Sequence, residues 1–295
     1  MRVSANAIAV NDSGEVLLIL RDDLRMWSVP GGMLDPNEPP TAAVVREVRE
    51  ETGLEVKPLR LLGLQYWPLN QTATLEFNYI CQVQAGEMRP SPESPQVGFF
   101  APTALPRPML SARRKLINTA LSPAASPTWQ AHRLAWGTQL GWWWLLHIVY
   151  PFKNLRRKWQ GNPYIPPPSW QVEVCFILRD EDGRILWLKP NKSEPWQLPS
   201  YAGSGSEAPW ETALQVIGRM LGLQLELQEL HCPSIHQTGN SLTLTFTAQA
   251  IGQNKRIGDG IGSQVDYFRP GQEPKQARAE HLDYVASGNV LLRQG

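Results

Sequence analysis

Residues 46–51 read REVREE, three glutamates and two arginines within six positions. On a helix Glu47, Glu50 and Glu51 are related by i, i+3 and i+4, so they project from neighbouring positions on one side. Like charges at that spacing repel, and Arg46 facing Glu50 at i,i+4 offsets only part of the repulsion. A hard dication offsets more, because clustered carboxylate oxygens suit Mg²⁺, which keeps waters and shares substrate phosphate oxygens. A solvated, salt-bridged helix face is the competing reading of REVREE taken alone.

The elements around the glutamates must hold them in place. Asn37-Glu38-Pro39-Pro40 reads as a helix start, with proline in the first turn and acids suited to its positive end, and Gly53 stops the helix after Thr52. Upstream, the apolar runs Ala5–Val10 and Val16–Leu20 flank the turn cluster NDSG and predict a β-hairpin. Downstream, strands are expected near Leu59–Trp67, Thr74–Val83 and Val97–Ala101, and a closing helix over Met109–Leu121.

The arrangement Gly32, Glu38, Arg46-Glu47-Val48, Glu50-Glu51, Gly53-Leu54, with five residues between Gly32 and Glu38 and seven between Glu38 and Arg46, fills every fixed position of the Nudix box. The chain therefore resembles the Nudix hydrolase family, and Trp27-Ser28-Val29-Pro30-Gly31-Gly32 resembles the approach to that box. The resemblance implies that Glu47, Glu50 and Glu51 bind Mg²⁺ or Mn²⁺, with the Gly31 carbonyl a further ligand and Glu47 a base toward the attacking water. It implies that Arg46 and Glu38 position the glutamates. Glu93, in the stretch SPESPQVGFFAPTALP, is the candidate for an additional acid from outside the box, with Glu87 as the alternative. The implied reaction is hydrolysis of a phosphoanhydride in a nucleoside diphosphate linked to another group. A nucleotide-sensing or protein-binding regulatory scaffold is the reading from another class.

The second half repeats the plan. A shift of 169 residues sets Gly14 on Gly183, Trp27 on Trp196, Pro30 on Pro199, Glu38 on Glu207 and Gly53-Leu54 on Gly222-Leu223; run on without a gap, it sets Phe77 on Phe246 and Phe99 on Phe268. Under it REVREE becomes QVIGRM, so all three carboxylates are lost while the fold-building residues stay. The expected architecture is α/β, two Nudix-type α/β/α sandwiches with mixed sheets joined by a Trp-rich helical insert. The expected boundaries are 1–121 for the domain with the intact box, 122–169 for the Trp/Pro-rich insert and 170–295 for a degenerate Nudix-like domain.

Seven of the twelve tryptophans lie between Trp129 and Trp170. Residues 134–152 carry no charged side chain and are followed by KNLRRKW, so 134–158 is open to three readings: a helix packed between domains or in a homodimer, one lying on an anionic membrane surface, or a span. A net charge of +1 gives no basic field for nucleic acid. The three cysteines form no CxxC pair and the N-terminus reads as a first strand, so a cytoplasmic protein is expected, with peripheral membrane contact open through the insert.

Overall fold

The computed structural model describes residues 1–68, 73–121, 127–133, 166–203, 207–231, 234–236, 240–251 and 264–286. The chain divides into two compact units, Met1–Trp170 and Gln171–Gly295.

In the first unit β1 (Arg2–Val10) runs parallel to β6 (Thr74–Gly86), and β5 (Leu54–Trp67) pairs antiparallel with β6, so the sheet is mixed. β2 (Val16–Leu20) turns back beside β1, and β4 (Gly31–Met33) pairs antiparallel with β1 so that Asn6 faces Gly31. β3 (Trp27–Ser28) and β7 (Gln96–Phe100) both pair with β2. Helix α1 (Pro40–Thr52) packs on β1, β4 and β5 and buries Ala43, Val44 and Val48. Helix α2 (Ser111–Ala120) gives Leu116, Ile117 and Ala120 to a separate apolar cluster with Ile8, Val16, Leu18 and Leu62. A helix thus covers each face of a mixed sheet.

The expected hairpin, helices and strands of this unit are all present. β5 begins five residues earlier than its pattern predicts, directly after the Gly53 stop. Register shifts at Glu55/Val56, Pro58/Arg60 and Leu61/Gly63 let the strand pass Pro58 without breaking its pairing to β6. One expectation for α1 is corrected: its first turn holds no acidic residue. Pro39 is the N-cap, and the Glu38 carboxylate turns away from the helix end to accept from the Asp35 N–H and from Arg46. A further strand, β8 (Thr128–Ala131), pairs parallel with β5. It lies in the segment expected to be an insert, and periodicity missed it because TWQA is too short to alternate. The helix expected over 134–152 and the basic run after it lie outside the described residues. Among the described residues no helix is long and apolar enough to cross a membrane.

The second unit pairs its strands in the same scheme. β9 (Gln171–Leu178) runs parallel to β14 (Ser241–Ile251), β11 (Ser200–Ala202) pairs with β9, and β12 (Gln224–Leu230) pairs with β14. β10 (Ile185–Lys189) pairs with β15 (Gln264–Phe268), and β13 (Ser234–His236) adds to β14. Helix α3 (Pro209–Leu221) packs on β9, β11 and β12, and α4 (Ala279–Ala286) places Tyr284 and Val285 with Ile177, Ile185 and Trp187.

Local detail follows the 169-residue shift through the first half of each unit. Asn11 Oδ1 accepts from the N–H of Ser13 and Glu15, and Asp180 Oδ1 accepts from the N–H of Asp182 and Arg184. Gly53 and Gly222 both end their helices in the left-handed region, at φ 75° and 67°. The gapless alignment then fails. Val3 faces Leu75, whereas Val172 faces Leu242, so β14 is displaced by two residues and the position of Phe77 is taken by Leu244, not Phe246. In β15 the displacement is one: Val16 faces Phe100 and Ile185 faces Phe268, and the edge-on pair Trp27–Phe100 (4.9 Å) recurs as Trp196–Phe268 (5.4 Å). A two-residue displacement leaves every side chain on the same face of a strand, which is why hydropathy alone does not detect it.

Candidate active site

The acidic helix is held against β4 by its own carboxylates. The Gly31 N–H donates to Glu51 Oε2 at 2.9 Å, which fixes the last turn of α1 to the start of β4. A Cβ on Gly32 would strike the Glu47 carboxylate, so any side chain here displaces that carboxylate from its place beside β4. Just past Glu51 the helix ends at Gly53, which adopts a left-handed φ of 75° and returns its N–H to the Arg49 carbonyl.

Arg46 is the hub of the site. Its Nε and Nη2 donate to the two oxygens of Glu38, each at 2.8 Å, in a bidentate pair. Nη2 also donates to the Met33 carbonyl at 3.0 Å, while Nη1 reaches Glu47 Oε1 at 2.8 Å and Glu50 Oε2 at 3.4 Å. One guanidinium therefore ties the loop before α1, the strand β4 and the helix together. Hydrogen bonding to Glu38, ahead of the cost of burial, raises the Arg46 pKa. Burial works against ionisation of Glu38, yet the Arg46 and Asp35 hydrogen bonds outweigh it and lower that pKa.

The three metal-candidate glutamates are not equivalent. Glu50 is at the rim with its side chain 61% exposed, whereas that of Glu47 is 15% exposed and Glu51 is buried. Burial raises the Glu47 pKa, with Arg46 opposing and Glu50 and Glu38 adding to the rise. Burial pushes Glu51 up to about 8; the Gly31 N–H opposes this, and the charges of Glu47 and Glu93 reinforce it. Two buried carboxylates in electrostatic contact are costly when both are ionised, and a proton or a cation removes that cost.

Among the described residues no three acidic, histidine or cysteine side chains converge as a ready metal cage. The donor set nevertheless fits a hard dication. It consists of carboxylate oxygens, and one oxygen of Glu47 and one of Glu51 accept no hydrogen bond among the described residues. Gly31 stands beside Glu51, and the contact the structure shows is made by its N–H, whereas the ligand implied by the resemblance is its carbonyl. Glu93 is brought to this set as well: its charge acts on Glu51, and its carbonyl accepts from the Asp22 N–H. For Glu87 the structure shows only its carbonyl, beside Gly53 just past the end of α1.

Sequence reasoning missed two features. Arg21, at the end of β2, opposes the rise in the Glu51 pKa while binding Asp23 through Nε and Nη2 at 2.9 and 2.7 Å; no motif marks it. Asn6 and Asn78 face each other across the central parallel pair, with Asn6 Nδ2 donating to Asn78 Oδ1 at 3.1 Å. A buried polar residue at a core position of a strand, as in SANAIAV, is the signal that could have found the first.

In the second unit α3 places Gln215, Val216, Arg219 and Met220 where α1 has Arg46, Glu47, Glu50 and Glu51. Among the described residues the link from the helix to the loop before it persists, as Gln215 Nε2 donating to Glu207 Oε2 at 3.0 Å.

A family model described as a NUDIX domain matches residues 1–120. A protein of Bacillus subtilis strain 168, named provisionally as an 8-oxo-dGTP diphosphatase, is 35% identical over 115 residues, covering 39% of this chain and 76% of that protein. A MutT-like protein of Streptomyces ambofaciens is 36% identical over 100 residues, covering 34% of this chain and 64% of that one. The crystal structure of a MutT NUDIX hydrolase from Burkholderia pseudomallei is 32% identical, covers 40% of this chain and 96% of its own, and has a TM-score of 0.37. Taken with the box residues and their placement between β4 and α1, the match to the Bacillus protein shows that this chain belongs to the Nudix family through its N-terminal unit.

Proposed function

We propose that the N-terminal unit is a Mg²⁺- or Mn²⁺-dependent pyrophosphohydrolase that cleaves a phosphoanhydride bond in a nucleoside diphosphate derivative. Glu47, Glu50 and Glu51 would hold the dication, with Gly31 and Glu93 completing the set. When bound, the ion neutralises phosphate oxygens and lowers the pKa of a coordinated water. The chain's own residues do the positioning. Arg46, fixed in place by Glu38, aims Nη1 between Glu47 and Glu50, holding the Glu47 carboxylate inward while Glu50 stays at the rim. Glu47, largely withdrawn from solvent and with a raised pKa, is the group suited to take a proton from the attacking water.

The observation that carries this reading is the burial of Glu47 and Glu51 side by side. A helix needing only stability does not keep two such carboxylates together. The relative named for 8-oxo-dGTP supports a nucleotide substrate. The test is a panel of nucleoside diphosphate derivatives with Mg²⁺, run on the full chain and on Glu50→Gln. Loss of two or more orders of magnitude in kcat is expected for the variant, on the scale of removing a metal or oxyanion contact. Turnover of no substrate, or equal rates for the two proteins, refutes the assignment.

For the second unit we infer a degenerate copy of the same domain, one that binds a nucleotide or protein or serves only to build the molecule. The shared strand pairing, the paired helix-ending glycines and the Glu207–Gln215 link support common descent. The absence of carboxylates at positions 216, 219 and 220 removes the means to hold a dication there.

A further inference from the structure

The face of the first sheet that carries α2 changes character along the strands. Around Ile8 and Leu62 it is apolar and packs on Leu116 and Ile117. Toward the other end the opposed residues are Asn6 with Asn78, Ser4 with Glu76, and Glu76 with Gln65, while Trp67 opposes Thr74. Directly opposed residues project from the same side of a sheet, so these side chains share the α2 face. From α2, Arg113 Nη2 donates to Glu76 Oε1 at 2.8 Å, and each of these side chains is 13% exposed.

The cluster is built but not satisfied. Gln65 is 7% exposed and Asn78 fully buried, yet Gln65 Oε1 and Asn78 Nδ2 have no hydrogen-bond partner. The same holds for Glu76 Oε2, Arg113 Nη1, Trp67 Nε1 and His132 Nε2. Unpaired buried polar atoms are rare and destabilising, and so many in one place point to a polar ligand that completes them. His132 stacks on Trp67 with ring centroids 3.7 Å apart and planes 10° apart, and its N–H donates to the Tyr66 carbonyl at 2.9 Å. It arrives there through β8, beyond residue 120 where the family match ends. The wall of the cluster is thus finished by a part of this chain outside the matched domain.

A line of touching residues joins the cluster to the acidic helix. Gly31 donates to Glu51, a Cβ on Gly31 would strike Asn6 Oδ1, and Asn6 donates to Asn78. β1, β6 and β5 follow β4 in order across the sheet, so Asn78 lies two strand spacings and Gln65 three from Gly31, about 10 and 14 Å, within reach of a single extended nucleotide.

We propose that Gln65, Trp67, Glu76, Asn78, Arg113 and His132 form the site that reads the base of the substrate, and that this base is of the guanine type. The inference rests on the pyrophosphohydrolase reading above. Gln65 and Glu76 are opposed, so their free oxygens make two neighbouring acceptors, and guanine is the base whose edge offers two neighbouring N–H donors, at N1 and N2. The adjacent carbonyl O6 then meets the unpaired donors of Arg113 and Asn78. Adenine and cytosine place a ring acceptor beside their amino group, and uracil has a single ring donor; each leaves an oxygen unpaired.

The test is titration of the full chain with guanosine, inosine, adenosine and uridine in EDTA, which separates base recognition from phosphate binding and from hydrolysis. Guanosine should bind at least about tenfold more tightly than inosine, which lacks only the N2 amino group, and more tightly than adenosine or uridine. His132→Ala and Glu76→Gln should each weaken guanosine binding by about tenfold or more. Equal affinity across the wild-type series, no binding of any nucleoside, or unchanged binding in folded His132→Ala overturns the proposal, and the wild-type series decides it even where Glu76→Gln does not fold. Guanosine preference without hydrolysis refutes the catalytic reading alone; hydrolysis of all bases with equal KM refutes the base site alone.

Discussion

Glu51 sits at the centre of the acidic site with a pKa of about 8, and this has a measurable consequence. A carboxyl whose folded pKa is raised contributes stability that is fully present below its unfolded value, near 4.5, and lost as pH rises through about 8. The metal-free protein should therefore lose on the order of a few kcal/mol between those limits. Added Mg²⁺ should restore it increasingly as pH rises, since the ion binds the ionised form. Thermal unfolding followed in EDTA and in Mg²⁺ from pH 5 to 8 reads this directly, with Glu51→Gln as the reference that should lack most of the slope. Identical slopes for wild type and variant would show that Glu51 is already ionised in the free protein. The clustering of Glu47, Glu50 and Glu51 was legible from spacing alone. Their inequality was not, because burial depends on what β4 and the loop bearing Glu93 place around each carboxylate.

At the scale of the element, α1 and α3 have alike ends in two environments. Both begin with a proline at the first turn and end in a left-handed glycine. At Gly53 a Cβ would also meet the Glu87 carbonyl and the Arg89 side chain, whereas at Gly222 it would meet nothing. Gly222→Ala should cost only the left-handed strain, about 1 kcal/mol, and Gly53→Ala about 3 kcal/mol once crowding is added. Hydrogen exchange resolved by mass spectrometry, which reports each unit separately, checks the ordering; equal costs would mean that the Glu87 loop yields freely. The helix stop itself is readable from Gly-Leu in either copy. What packs over the stop is set by the end of β6, which lies more than thirty residues away in sequence.

For the whole molecule, the two units carry the same loop-to-helix link, Arg46 to Glu38 and Gln215 to Glu207, but only the first leads on to carboxylates. Glu38→Gln should lower kcat of the full chain by at least tenfold, by releasing Arg46 and with it Glu47, while Glu207→Gln should leave kcat within about twofold. Steady-state kinetics of the two variants side by side decide the point. A comparable loss in Glu207→Gln would assign the second unit a part in turnover. The matched family model ends at residue 120 and leaves the second unit to be understood through this chain's own residues.

Sequence by itself determined the elements of the first unit, the box spacing, and a 169-residue likeness between the halves in which the second lacks the three carboxylates. These are local or periodic properties, carried by glycine conformation, helical spacing and alternation. The gapless repeat broke down where strands pair across the sheet, because a displacement of two residues leaves the hydropathy pattern intact and only the partner strand reveals it. Tertiary structure alone decided that Arg46 also reaches the Met33 carbonyl on β4, that Glu93 comes near enough to act on Glu51, and that Glu76, Arg113 and His132 meet. Those residues are brought together by sheet register and helix docking, and nothing in their own neighbourhoods along the chain records the meeting.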